Sequence, residues 1–335
     1  MRHINAYQTL IIYASAFILL IVVGLALSIG SYNISIINYF YNDLSKIQES
    51  ILIKIRYPRV LLSAFVGASL SISGACLQGL FRNPLADPGL IGVSAGAALG
   101  ATSFIVLGSN YLPNSLTNPY LLPLSSIFGS ALVIYTLFSI TRGFGKEGIT
   151  YLLLAGIAVN AFAGVGIGVL TYISDNSELR GLTFWTMGSF GGASLTIIAP
   201  AILIIVVSFI WILRESRKLD ILQLGEAEAY RLGIDIKKLR FSIIISSAIV
   251  VGISVSLSGM IGFVGLIIPH LSRILGGVNH GFLLPSSALA GAMLMVLADL
   301  LARTMIKPAE LPVGLITSAI GSPFFLWLIF RMRKT

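Results

Sequence analysis

Few side chains of this sequence could carry out catalysis, and their types favour ion pairing. Only 10% of its 335 residues are Asp, Glu, Lys or Arg, and three histidines are scattered along the chain. The sequence contains neither a Gly-x-x-x-x-Gly-Lys-Ser/Thr phosphate loop nor a His-Glu-x-x-His zinc motif. Its one cysteine, Cys76, excludes an internal disulfide and a metal cluster held by cysteines. We therefore expect no catalytic residue, no metal site and no cofactor bound by this chain.

The groups best suited to chemistry are arginines that could bind carboxylates. Arg56 and Arg59 lie three residues apart, and Arg303 follows Asp299 by four residues, the spacing of an ion pair on one helix face. A guanidinium group can bind a carboxylate through two parallel hydrogen bonds. Two interpretations follow. The arginines contact lipid headgroups and Asp299, or they form a basic rim that docks an acidic soluble partner.

Long stretches without charge must position these residues. Asp, Glu, Lys and Arg are absent from residues 10–30, 60–81, 88–141, 149–174, 181–213, 241–272, 274–298 and 311–330. A charge at the centre of a bilayer costs about 2.5–3.5 kcal/mol on insertion scales, and a helix needs about 20 apolar residues to cross. The sequence therefore predicts an all-α polytopic membrane protein with about ten transmembrane helices, forming a single domain over residues 1–335.

The apolar sequence contains several predicted helix breaks and one short repeat. Turn-rich residues 109–114 divide the longest uncharged stretch, and the small residues at Ser258-Gly259 divide a later one. Residues 82–89 contain two prolines and cannot continue a helix, so we predict a sharp turn at a membrane face. Residues 71–74 and 256–259 are similar in sequence and are separated by about five segments, which predicts two inverted halves.

The distribution of positive charge predicts the orientation in the membrane. With a cytoplasmic N-terminus and ten crossings, most of the 22 Lys and Arg residues lie inside, which satisfies the positive-inside rule. Both termini are then cytoplasmic. The cations left outside are Lys46, Lys54, Arg56, Arg59, Arg180, Arg303 and Lys307.

The one sizeable cytoplasmic loop, residues 214–240, has an amphipathic centre. Apolar Leu222 and Ala229 lie among charged residues such as Glu226. This pattern predicts a short helix that ends with Gly233 as its C′ residue. The helix either lies on the membrane surface or is presented to a cytoplasmic partner.

Other function classes remain open from the residues alone. Arg180 could contact an anionic substrate. Alternatively, it contacts a lipid headgroup or Glu178. An ion-coupled secondary transporter would place ionisable residues at mid-membrane, where this sequence has essentially none, since Asp299 lies near a helix end. A membrane-embedded enzyme would need a convergent polar cluster, which we do not find in the sequence.

Several long motifs, in order, resemble one family. Residues 50–333 are similar to the membrane subunit of binding-protein-dependent ABC importers for iron chelates, haem and vitamin B12. The motifs are Arg56-Tyr57-Pro58-Arg59, Ser73-Gly74, residues 78–92, residues 152–156, residues 225–233, residues 262–270, Ala298-Asp299 with Arg303, and residues 310–314.

The resemblance implies a type II importer permease of ten transmembrane helices that works as a homodimer in the cytoplasmic (inner) membrane. Two separate ATPase subunits would hydrolyse ATP, and a periplasmic or lipid-anchored binding protein would dock on the outer face. The docking arginines would be Arg56, Arg59 and Arg303, which meet glutamates on that protein. ATPase coupling would use Leu222, Gly225, Glu226, Ala229, Arg231 and Gly233. The resemblance also implies a cytoplasmic gate at Asn83, Leu85 and Thr150.

The substrate within the family is expected to be hemin. Residues 79–92, 180–189 and 322–327 look closest to hemin permeases. A ferric siderophore, or less readily cobalamin, is the alternative. Arg180 would then meet an anionic group such as a hemin propionate.

Overall fold

The structure is a computed structural model, and its regular elements are helices throughout the part that it describes. It describes residues 5–30, 32, 34–35, 38–39, 41, 44–108, 118–141, 148–306 and 309–332. The α-helices are α1 (Ala6–Ser28), α2 (Lys46–Ser50), α3 (Tyr57–Phe81), α4 (Val93–Ser103), α5 (Leu121–Thr141), α6 (Gly148–Ile173), α7 (Asn176–Met187), α8 (Leu195–Arg214), α9 (Ser216–Leu222), α10 (Glu226–Arg231), α11 (Ile236–Ser258), α12 (Val264–Gly276), α13 (His280–Ala302) and α14 (Val313–Met332). A π-helical segment, Ile51–Arg56, joins α2 to α3.

Apolar helices run through the stretches that are predicted to cross the membrane. Within the described ranges, seven helical segments are long and apolar enough to span a bilayer, and three shorter helical segments are also apolar. The longest is the continuous segment Lys46–Phe81, and the shorter ones are Val93–Gly108, Val264–Gly276 and Val313–Leu328. The prediction of an all-α polytopic membrane protein is therefore confirmed.

Two helices end near the predicted breaks, at residues that do not favour continuation of a helix. Helix α11 stops at Ser258, and Gly259 follows with φ +72°, a conformation that glycine adopts without strain. Helix α3 stops at Phe81, and a 3₁₀ helix, Pro88–Ile91, follows before α4. The sharp turn within residues 82–89 is thus confirmed. The predicted break at 109–114 lies outside the described residues.

The chain divides into two compact units. The first comprises Met1–Ala75, Ser189–Leu203 and Ile261–Thr335, and the second comprises Cys76–Gly188 and Ile204–Met260. The prediction of one functional domain over the whole chain stays a prediction.

Small residues bring the helices of the first unit into close contact. A Cβ atom on Gly67 of α3 would overlap the carbonyl oxygen of Gly291 on α13, and one on Gly74 would overlap that of Gly265 on α12. Helix α1 packs on α13, where Val22 and Val296 belong to one apolar cluster. Close backbone approach maximises van der Waals contact, the main attraction between helices in lipid.

The second unit is built around α4, which packs on α5, α6 and α11. Cβ atoms on Gly100 and Gly129 would overlap carbonyl oxygens of the facing helix, so α4 and α5 approach closely. Hydroxyl groups also join the two helices, since Ser126 Oγ donates to Ala97 O at 3.0 Å and Ser130 Oγ donates to the carbonyl of Val93 at 3.1 Å.

The two matched stretches of sequence adopt different local structures. Residues 71–74 lie inside α3, whereas residues 256–259 form the end of α11 and its glycine cap. The inverted arrangement of the two halves stays a prediction.

Candidate functional site

Within the first unit, the three predicted docking arginines converge on two carboxylates. We call Arg56, Arg59, Arg303, Asp299 and Glu310 the arginine cluster. Helix α3 and the π-helical segment before it supply two of the arginines, and the end of α13 supplies Asp299 and Arg303. Three guanidinium groups against two carboxylates leave the cluster with one net positive charge.

Arg59 is the centre of the cluster. Its Nε donates to Asp299 Oδ1 at 2.9 Å and to Oδ2 at 3.1 Å, and its Nη2 lies 2.9 Å from Oδ1. Its Nη1 donates to Glu310 Oε2 at 2.7 Å. One guanidinium group therefore binds two carboxylates from two directions, and Asp299 is 1% exposed.

The other two arginines cap the end of α1. Arg56 Nη1 donates to the carbonyl oxygens of Leu27 and Ser28, each at 2.8 Å. Arg303 Nη2 donates to the carbonyl of Ala26, and its Nε lies 3.7 Å from Asp299 Oδ2. The last carbonyls of a helix have no partner within it, and they carry partial negative charge. The arginines thus stabilise the C-terminus of α1.

The arginine cluster differs from the predicted basic rim because its arginines are buried and one of its carboxylates is exposed. Arg56, Arg59 and Arg303 are each less than 8% exposed, whereas the side chain of Glu310 is 51% exposed. The predicted Asp299–Arg303 pair is present, but the shorter contact of Asp299 is with Arg59. The group at the surface is therefore a carboxylate, and the positive charge lies beneath it.

The predicted coupling segment, in the second unit, forms two short helices rather than one. Helices α9 and α10 are separated at Gly225, whose φ is +114°. Gly233 N donates to Tyr230 O, and Ile234 N donates to Ala229 O, each at 2.9 Å. This pair of bonds and the φ of +84° at Gly233 confirm that it is the C′ residue of a Schellman motif.

The side chains of the coupling segment divide into a buried set and an exposed set. Leu222 and Ala229 are buried, so they hold the segment on its own unit. Glu226 Oε1 accepts from Arg240 Nη2 at 2.5 Å, which ties α10 to α11. Arg231 is exposed and pairs with Glu228 at 2.8 Å. Three large apolar side chains stand exposed around α10, and these are Leu224, Tyr230 and Leu232.

Two aspartates cap helices near these segments, Asp235 beside the coupling segment and Asp87 in the gate turn. Asp235 caps α11, and the backbone N–H of Lys238 holds the pKa of that carboxyl below its usual range. Asp87 caps the 3₁₀ helix by accepting from Gly89 N at 2.7 Å. Burial raises the pKa of the Asp87 carboxyl.

The predicted gate residues lie on a turn that α6 holds in place. Asn83 Oδ1 accepts from Leu85 N at 2.9 Å, which makes an Asx turn, and both residues are exposed. Helix α6 crosses the following residues closely, because a Cβ atom on Gly156 would overlap Leu90 O and Asn160 Nδ2 donates to Gly89 O at 3.0 Å. Thr150 lies in α6, and its side chain is outside the described residues.

Arg180 stands apart from these groups in the second unit. It is exposed on α7, and its guanidinium carbon lies 5.7 Å from the centroid of the Phe184 ring. This cation–π contact orients the side chain. Glu178 instead accepts from the backbone N–H of Asp175 at 3.0 Å, as part of the helix cap.

One sequence match needs structural context for its interpretation. Gly92-Val93-Ser94-Ala95-Gly96 has the Gly-x-Ser-x-Gly spacing of a hydrolase nucleophile, which sits between a strand and a helix. Here the 3₁₀ helix Pro88–Ile91 precedes the run, and Ser94 lies within α4, so that context is missing. In the described part of the chain, no group of three or more His, Cys, Asp or Glu side chains is arranged so that it could hold a metal ion.

Two features of the site had no signal in the sequence. The capping of α1 by Arg56 and Arg303 joins residues far apart in the chain, and so does the contact between Arg59 and Glu310. The spacing of Asp299 and Arg303 was the only part of this network with a local pattern.

Known proteins resemble the chain over nearly its full length. The hemin transport system permease protein HmuU of Yersinia pestis is 44% identical over 321 residues, 95% of each chain. The vitamin B12 import system permease protein BtuC of Vibrio vulnificus is 37% identical over 319 residues, 94% of this chain and 92% of the relative. A solved structure, described as an inward-facing conformation of a putative metal-chelate type ABC transporter, matches with a TM-score of 0.86 and 34% identity. It covers 96% of this chain and 99% of the other.

The family model supports the same conclusion. The model of the FecCD transport family matches residues 18–331, which include every motif on which the resemblance rests. The chain belongs to the FecCD transport family, as a membrane permease subunit of an ABC importer.

Proposed function

We propose that this chain is the permease of an importer that carries hemin across the cytoplasmic membrane. A separate ATPase supplies the energy, and a binding protein delivers the substrate. The observation that carries this proposal is the 44% identity, over 95% of both chains, to a protein named as a hemin transport permease. The relatives that carry vitamin B12 keep cobalamin as the alternative, and a ferric siderophore is a further one.

The arginine cluster is the proposed docking site for the binding protein. Arg56, Arg59 and Arg303 lie at helix ends that the charge distribution assigns to the outer side. Their cluster retains one net positive charge, which favours an acidic partner. Since the guanidinium groups also stabilise the end of α1, the docking surface rests on a rigid support.

The segment of α9 and α10 is the proposed docking site for the ATPase. Leu224, Tyr230 and Leu232 are between 59% and 74% exposed, which leaves three large apolar side chains available to a cytoplasmic partner. Arg231 adds an exposed charge beside them. Motion of α10 would pass into α11 through three features. These are the buried side chains of Leu222 and Ala229, the Glu226–Arg240 pair, and the glycines at 225 and 233.

A homodimer is the proposed assembly, with α6 as its best candidate interface. One side of α6 carries exposed apolar residues at helical spacing, a face that a second copy could cover. These are Leu154, Ile157, Phe162, Val165, Val169 and Tyr172. Closure of the ATPases would tilt the helices along this interface and open or close the turn at Asn83 and Leu85, in a shift between outward-facing and inward-facing states. Arg180 is the proposed contact for an anionic substrate.

Substrate uptake tests the proposal. The chain is co-expressed with its partner ATPase, and the complex is reconstituted in liposomes that contain ATP, with the binding protein outside. We expect hemin to accumulate inside, and a ferric hydroxamate and cobalamin to remain outside. Accumulation of the hydroxamate or of cobalamin in place of hemin would keep the class of importer and refute the substrate.

A further inference from the structure

The Arg59 side chain presents two faces with different surroundings. Its Nε and Nη2 face Asp299, whose side chain is 2% exposed, and its Nη1 faces Glu310, whose side chain is 51% exposed. A guanidinium group has five N–H donors in a fixed planar arrangement, so both carboxylates can bind at once. The contact with Asp299 is therefore enclosed, whereas the contact with Glu310 is open to water on the side of Glu310.

The surface contact can open while the enclosed one stays closed. The Glu310 side chain is half exposed, so water can hydrate its carboxylate when it leaves Arg59, although the Arg59 side chain is only 8% exposed. A buried arginine that loses its buried carboxylate is strongly destabilised, since its charge is left without compensation. Glu310 can thus leave Arg59 without disturbing the support that Asp299 provides.

Two exposed glycines lie near this contact. Gly191 lies beside it, where a Cβ atom would be 3.8 Å from Glu310 Oε2 and 4.0 Å from Arg59 Nη1. A Cβ atom on the next residue, Gly192, would have no heavy atom within 4 Å. Both glycines are exposed. Neither glycine has a side chain that could block a carboxylate of a docking partner from Arg59 Nη1.

We propose that Glu310 occupies the Nη1 face of Arg59 in place of a carboxylate of the docking partner, and that docking exchanges one for the other. The inference rests on the proposed docking of an acidic binding protein at the arginine cluster. Before docking, Glu310 satisfies Nη1. During docking, a carboxylate of the partner binds Nη1, and Glu310 turns into water.

The exchange has a consequence for affinity. The number of ion pairs on Arg59 is the same before and after docking, so the gain in electrostatic affinity is small and release stays easy. Glu310 also repels an acidic partner while it occupies the site. Removal of its charge should therefore strengthen docking. Because the Glu310 side chain is 51% exposed, water screens its charge, and we expect an increase in affinity of about two- to fivefold.

The test measures binding of the substrate-loaded binding protein to the complete permease–ATPase complex in lipid nanodiscs. The Glu310→Gln variant removes the charge and keeps the size of the side chain. The Gly191→Leu variant places a bulky side chain over the contact without changing any charge, and Gly192→Leu is its matched control. Thermal unfolding of each complex verifies that the variants are folded.

The expected results distinguish the proposed docking site from the proposed carboxylate exchange. If both hold, Gly191→Leu weakens binding by about tenfold or more relative to Gly192→Leu, and Glu310→Gln lowers the dissociation constant by about two- to fivefold. Weaker or unchanged binding by Glu310→Gln, with Gly191→Leu still weakened, would overturn the exchange and leave the docking site intact. If Gly191→Leu binds like its control, docking does not use this face, and the exchange is refuted with it.

Discussion

Replacement of Asp299 by Asn should destabilise the permease severely. Asp299 is the enclosed anion of the arginine cluster, at 2.9 Å from Arg59 Nη2 and 3.7 Å from Arg303 Nε. The substitution keeps an oxygen acceptor and nearly the same volume, so it removes mainly the charge. Arg59 would then keep only the half-exposed carboxylate of Glu310, and Arg303 would lose the carboxylate beside its Nε.

The size of the effect follows from burial. Loss of one partner from a buried ion pair costs about 3–5 kcal/mol, a large part of the roughly 5–15 kcal/mol that stabilises a typical fold. At roughly 2–4 °C per kcal/mol for larger chains, the unfolding temperature should fall by roughly 6–20 °C. Glu310→Gln is the matched control because it removes the half-exposed carboxylate from the same arginine. Its expected cost is about 0.2–1 kcal/mol.

Thermal unfolding of the purified protein in one detergent, followed by size-exclusion chromatography of the surviving fraction, gives the comparison. We expect Asp299→Asn to unfold well below the wild type and Glu310→Gln to unfold close to it. Equal unfolding temperatures for the two variants would refute the claim that Asp299 holds the cluster together.

Two further predictions concern helix packing and the coupling segment. Gly67→Ala should lower the free energy of unfolding by about 1–3 kcal/mol, because the new methyl group meets a backbone carbonyl of α13. Gly24→Ala, whose Cβ atom would have no neighbour within 4 Å, should have no cost, and equal stability of the two would contradict the packing. Arg240→Gln should reduce substrate-stimulated ATPase turnover, because it releases Glu226 and hence α10 from α11. Lys238→Gln, at an exposed pair, is the control, and equal turnover by both variants would count against coupling through that contact.

The membrane helices and their ends could be predicted because their causes are local in sequence. An uncharged stretch of sufficient length must lie in lipid whatever its neighbours are, and the structure has apolar helices there. Gly259 and Gly233 end helices with positive φ, for which glycine is the least strained residue. The turn after α3 follows from two prolines that cannot continue a helix.

The arginine cluster could be predicted only in part because its contacts join distant parts of the chain. The Asp299–Arg303 pair has a four-residue spacing and was expected. The bonds from Arg59 to Asp299 and Glu310 span 240 and 251 residues, and no pattern in one sequence indicates them. The arginines therefore looked like an open basic rim, whereas the fold uses their charge to cap α1 and to bind its own carboxylates.

The coupling segment shows a similar limit. The amphipathic pattern found the helix and its glycine cap, but it could not tell which apolar residues face the protein. Leu222 and Ala229 are buried on the segment's own unit, and Tyr230 is exposed. That choice depends on how α9 and α10 pack on the rest of the unit, which periodicity over so few residues does not determine.

The most direct test of the central claim is whether uptake requires ATP hydrolysis and a binding protein. Liposomes containing the permease and its ATPase are loaded with ATP or with a non-hydrolysable analogue, and hemin accumulation is followed with and without the binding protein, in the presence of ionophores that collapse ion gradients. The account predicts accumulation only when ATP and the binding protein are both present, with no effect of the ionophores. Accumulation that needs neither of them and stops when the ionophores are added would contradict it and identify an ion-coupled transporter.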